Sequence, residues 1–159
     1  MNHSKALSAL LCALSLAACS NPEGNAPAAG TAAEESATTG QAAAPDADDR
    51  VFIVSPTDGD VVTSPVTVTF GIEGFSIAPA GTYDPDTGHH HLLIDTGLPP
   101  LDQPIPADAQ HVHFGKGQTE TTLELQPGQH TLQLLLGDGN HVPHQPPLTS
   151  DIITITVSE

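Results

Sequence analysis

The chain has 159 residues, with 3 Lys or Arg against 19 Asp or Glu and a formal net charge of −16. A field of that sign repels phosphate backbones and anionic lipid surfaces, which excludes nucleic acid as a natural partner and favours cations, metal ions among them. Two cysteines and no tryptophan exclude a disulfide-stapled scaffold and a Trp-lined sugar platform.

The first segment, 1–18, reads as an export signal: Lys5 precedes an apolar stretch over 6–16, and small residues stand at Ala17 and Ala18. The stretch is too short to span a bilayer as a helix. Leu16, Ala17, Ala18 and Cys19 resemble a bacterial lipobox, the motif whose cysteine becomes the acylated first residue of a lipoprotein. The resemblance implies a lipid anchor at Cys19, and Ser20 after it implies the outer membrane, with the domain facing the periplasm. Cys12 falls in the removed part, so the folded part holds no thiol. The segment 19–49 has no aromatic residue and little besides small, polar and acidic ones. Such a composition cannot offset chain entropy by apolar burial and predicts a disordered tether. About 30 residues of tether reach roughly 30 Å on average, with a contour near ~100 Å.

From residue 50 to 159 the composition changes to β-branched runs punctuated by Gly, Pro and Asp. Strands are predicted over 51–54, 66–72, 90–95, 110–114, 121–125, 129–136 and 152–157, with a possible short one at 75–78. The alternation of Val66, Val68, Phe70 and Ile72 with Thr67, Thr69 and Gly71 is the clearest period-two signal. No stretch has a helical period. Seven or eight short strands in one domain predict an all-β, antiparallel, immunoglobulin-like sandwich.

Eight of the 9 histidines fall in this domain, in the strings GHHHLLID, HVHF and HTLQLLLGDGNHVPH. Imidazole is the commonest protein ligand of transition metals, so the grouping suggests metal capture. Strand alternation places His90 with Leu92 and Ile94 on the core side. It leaves His89 and His91 outward together with His111 and His113, whose core-side neighbours are Val112 and Phe114. On adjacent strands these four imidazoles would lie about 5 Å apart at Cβ on one exposed sheet face. His141 and His144 belong to the turn-rich GDGNHVPH, where backbone freedom lets them be aimed at a site; the sequence leaves open whether that loop meets the sheet. The expected metal ligands are therefore His89, His91, His111 and His113, supplemented by His141 and His144. His90 and His130 read as structural, hydrogen-bonded or rim residues. Without Cys or Met in the domain, the set suits Zn(II), Cu(II) or Ni(II) rather than Cu(I), with Zn(II) or Cu(II) the expected ion. Asp95, Asp138 and Glu120 are candidates to orient an imidazole. Binding is expected to weaken below about pH 6, because protonated imidazole does not coordinate.

The strings GHHHLLID, HVHFGKGQTE, GQHTLQLLLGD, HVPH and the closing ITITV resemble those of a bacterial exported family, domain of unknown function 4399, from about residue 51 to the end. The resemblance implies a periplasmic or surface β-domain and brings no activity or catalytic residue. His111, Val112, His113 and Gly115 also resemble a short string of copper-zinc superoxide dismutases, but the chain has no arginine after Arg50, no disulfide and no metal-bridging histidine spacing. No GxSxG elbow is present and nothing singles out a catalytic triad, so the sequence names no reaction; a zinc-activated water is the enzymatic route left open. Two functions follow. One is a lipoprotein domain that buffers or delivers a transition metal in the periplasm; the other is an adaptor or envelope-structural domain that binds a protein or peptidoglycan, with the histidines as polar contacts. Replacing Cys19 by Ala should release the protein from the membrane fraction or block its processing. An unmodified wild-type N-terminus with unchanged fractionation of the variant would refute the anchor.

Overall fold

The computed structural model describes residues 48–159; the expected signal, Cys19 and nearly all of the tether lie outside the described residues. The rest is an all-β sandwich of two sheets, with no helix among the described residues. Strands β1 (Arg50–Ser55), β3 (Val66–Glu73) and β7 (Glu120–Leu123) form one sheet in the order β1-β3-β7, all antiparallel. The other has the order β2-β9-β8-β5-β4, from β2 (Val61–Thr63), β9 (Ile153–Ser158), β8 (Gly128–Gly137), β5 (Thr87–Ile94) and β4 (Ser76–Ile77). Strand β6 (His111–His113) pairs antiparallel with β5 beyond β4.

Nine strands replace the expected seven or eight. The addition is β2, three residues that pair parallel with β9, and β4 likewise pairs parallel with β5. Both are too short to show a period, and both take their place from the strand they join.

The inner faces follow the alternation. Val66, Val68 and Phe70 of β3 meet Leu92 and Ile94 of β5, Leu132, Leu134 and Leu136 of β8, and Ile155 and Val157 of β9; Phe114 completes the same core beside partly buried Val112. Register makes this possible, since Leu92 faces Leu134 on one side and Val112 on the other.

Asp95 closes the end of β5 in a left-handed backbone conformation, φ 54°. Its Oδ1 accepts the Thr131 amide at 2.8 Å and its Oδ2 accepts His130 Nδ1 at 2.7 Å. His130 Nε2 donates to the Gln126 carbonyl at 2.8 Å. Both ring nitrogens thus face acceptors, which requires both to carry protons, and the hydrogen bond to Asp95 holds the His130 pKa above its ordinary value. His130 is a cationic latch between β8 and the end of β5, in keeping with a structural role.

His90 lies on the core side, where strand alternation places it, but without the expected hydrogen bond or rim position. It is fully buried in the core, packed edge-on to Phe70 at 5.2 Å between ring centroids, and neither ring nitrogen has a partner. A buried N–H without an acceptor costs about 1–3 kcal/mol, whereas an aliphatic side chain of similar size carries no such penalty. His90→Leu should therefore raise the unfolding free energy by about 1 kcal/mol in urea titration. A loss of stability instead would mean that the ring makes a polar contact in solution.

Candidate metal centre

The outer face of β5 was expected to meet solvent. It does not, because every residue from Gly88 to Ile94 is buried, with His89, His90 and His91 at 0% exposure. Two connecting segments lie over that face. The segment 97–109 contributes Ile105, which packs with Leu93 and Leu135 in a second small apolar cluster. The segment 138–150 is tied to it where the Ile105 amide donates to the His141 carbonyl at 2.8 Å and Gln145 Nε2 donates to the Leu101 carbonyl at 3.0 Å. Sequence carried a signal of this in the unbroken runs Leu92-Leu93-Ile94 and Leu134-Leu135-Leu136, which mark strands buried on both sides rather than one.

Under this cover four imidazoles converge. His91 stands directly opposite His113 across the β5–β6 pair, and their ring centroids are 5.0 Å apart. His89 lies one step along the same face, 4.9 Å from His91 and 5.0 Å from His113. His141 comes from the loop to within 4.9 Å of His89 and 4.8 Å of His113. One ring nitrogen from each of His89, His113 and His141 lies within 4.8 Å of the other two. His89 Nε2 and His91 Nε2 are 3.1 Å apart. Zinc–nitrogen bonds of about 2.0–2.1 Å place tetrahedral ligand atoms roughly 3.3 Å apart, so a small contraction of the three and a turn of His91 would enclose an ion.

Two glycines clear the space. A Cβ at Gly115 would overlap the His113 ring, and one at Gly137 would come within 3.0 Å of His91 Nε2. Hydrogen bonding leaves the cluster incomplete: His89 Nδ1, His91 Nδ1 and His113 Nε2 are buried with no partner. Whichever of His89 and His91 donates across their 3.1 Å contact, the other must carry its proton on an Nδ1 that has no acceptor. Buried imidazoles this poorly satisfied in a group are a donor set that a metal ion could engage.

The remaining expected ligands make other contacts, although each acts through its charge on a ring of the cluster, His111 on His91 and His144 on His89. His111 lies opposite Leu93, and its Nδ1 is 2.9 Å from Asp108 Oδ1. His144 packs edge-on against Phe75 at 4.9 Å, with Nε2 buried and unpartnered. Among the carboxylates, Asp95 orients His130, Glu120 belongs to the other sheet, where Thr69 Oγ1 donates to it at 3.3 Å, and Asp138 hydrogen-bonds the backbone next to His141 and reaches the His89 and His144 rings through its charge alone. Asp108, which sequence reasoning passed over, is the carboxylate at His111; its spacing of three residues was the available signal.

Burial, with the neighbouring imidazoles adding to it, holds His89 and His90 down at about 4 and His91 at about 3. His113 is lowered by the same desolvation and by His141. The inner rings therefore stay neutral and able to coordinate well below the pH of about 6 expected from an ordinary histidine. The same shifts set acid stability. The unfolded chain takes up protons below about pH 6.5 that the folded domain refuses until about pH 4, so stability is full above 6.5 and is lost as pH falls through that window. Between pH 6.5 and 5 each buried ring should cost on the order of 2 kcal/mol. Urea unfolding of the metal-free domain at pH 7, 6 and 5 should show the midpoint falling steadily; a constant midpoint would mean that these rings titrate as exposed ones do.

No match was found among curated proteins or among solved structures. The family described as Domain of unknown function (DUF4399) matches residues 68–158, a span that runs from β3 through β9 and contains all four converging histidines. The chain belongs to the DUF4399 family.

Proposed function

We propose that this is an exported, lipid-anchored domain that holds Zn(II) or Cu(II) through His89, His91, His113 and His141, for buffering or delivery in the periplasm. The observation that carries the reading is the convergence of four imidazoles under a cover of loops, with buried ring nitrogens lacking any partner. An all-imidazole set suits these borderline ions, and the excess of acidic groups around it attracts cations. His111 and His144, held by Asp108 and against Phe75, fall outside the ligand set in this reading. The envelope location rests on the lipobox at Cys19 and the tether after it. The adaptor alternative needs histidines that a partner can touch, and His89 and His91 are fully buried.

Calorimetric titration with Zn(II) and with Cu(II) tests the proposal. One ion should bind with a dissociation constant below about 10 μM, corresponding to more than roughly 6–7 kcal/mol. His113→Gln should weaken that binding by at least an order of magnitude, whereas His111→Gln should leave it nearly unchanged. Absence of binding by either ion at 10 μM would overturn the reading, and equal losses in the two variants would overturn the ligand assignment.

A further inference from the structure

His141 is the ligand candidate that no strand positions. It sits in a left-handed backbone conformation, φ 68°, which a side chain with a Cβ adopts at a cost and which glycine would adopt freely. Such a conformation persists only where the surroundings over-determine it. Asp138 supplies most of that determination. Its Oδ1 accepts the Asn140 amide at 2.8 Å and the Val142 amide at 2.9 Å, bracketing His141. Its own backbone closes the turn twice, the His141 amide donating to the Asp138 carbonyl at 2.9 Å and the Asp138 amide donating to the Val142 carbonyl at 2.9 Å. Outer contacts seat the turn on its neighbours: the Gly81 amide donates to the Gly139 carbonyl at 3.0 Å, and Tyr83 Oη donates to Asn140 Oδ1 at 3.2 Å. His141 itself is only partly buried, unlike His89 and His91.

We propose that Asp138 is the positioning residue of the metal centre: by clamping the turn Asp138–Gly139–Asn140–His141 it holds the His141 imidazole over the three strand histidines, and the turn is the arm that closes the site on an ion. The inference rests on the metal-binding reading. It assigns Asp138 no contact with the ion. The carboxylate positions the turn through two backbone N–H groups, a task an amide oxygen can take over, while its charge separately favours the protonated forms of His89 and His144.

The test uses the full-length chain and Zn(II) or Cu(II) alone, whichever ion the unaltered protein binds. Asp138→Ala should weaken binding by roughly 10- to 100-fold, the range typical for groups that orient a ligand. Asp138→Asn, which keeps an acceptor oxygen for the Asn140 and Val142 amides, should bind within about threefold of the unaltered chain. In a His141→Gln background the Asp138→Ala change should cost nothing further, because the residue it positions is gone. Thermal unfolding of each metal-free variant separates loss of the arm from loss of the fold. Unaltered binding by Asp138→Ala would overturn the inference while leaving the metal reading intact, as would a loss of the same size in the His141→Gln background. Failure of the unaltered chain to bind either ion would overturn both.

Discussion

Burial of strand β5 on both faces is the constraint from which the rest of the domain follows. Its inner side chains, His90, Leu92 and Ile94, join the core between the sheets, and its outer ones, His89, His91 and Leu93, lie beneath the segments 97–109 and 138–150. A strand so enclosed is ordinarily apolar throughout. Placing three consecutive imidazoles there removes them from water and favours their neutral form, which is the form that coordinates a metal. The covering segments are ordered in return: Ile105 gains apolar partners, and its amide ties one segment to the other at His141. The same enclosure makes the domain sensitive to acid, since desolvated rings are the groups that protonation would disrupt.

One residue type serves four physical purposes within this small sandwich. His130 is a cation held between a carboxylate and a carbonyl, with every ring proton used. His90 is a packing element against Phe70 with none of its polarity used. His111 is bound to an exposed carboxylate. His89, His91, His113 and His141 face one another, an arrangement of donors and acceptors that neutral rings cannot satisfy among themselves. What separates these roles is the partner atom within about 3 Å, a quantity that sequence spacing does not contain.

Charge complements this arrangement from a distance. Of the two Lys or Arg residues in the domain, Arg50 is engaged with Glu73 at 2.7 Å and lies over the Phe52 ring at 5.2 Å. The long-range field around the histidine centre is therefore set by the acids, which far outnumber the bases. Such a field raises the local concentration of cations without supplying a ligand, while the neutral rings supply ligands without attracting ions from afar. The two contributions are separable in principle, because salt screens the first and not the second.

Strand alternation alone determined the face of every long strand: Val66, Val68 and Phe70 inward, Leu92 and Ile94 inward, and Leu132, Leu134 and Leu136 inward, with His89, His91, His111 and His113 opposite them. It put His91 and His113 on the like face of their own strands, while the pairing of Leu92 with Val112 that sets them directly opposite is a finding of the structure. The face assignments are local consequences of a two-residue period and need no tertiary information. Only the tertiary structure decided that the outward face is covered, because that depends on where the Pro-rich segments 97–109 and 138–150 come to lie. It alone split His111 from His113 through Asp108, and it alone brought in His141, whose left-handed backbone is fixed by hydrogen bonds within and beyond its turn. Edge strand β2 was equally out of reach, three residues long and defined by the strand it joins, whereas β4 falls within the short strand expected at 75–78. Periodicity speaks for side chains on one strand, whereas the histidine cluster is assembled from two strands and a loop, and the energy that places the loop is nonlocal.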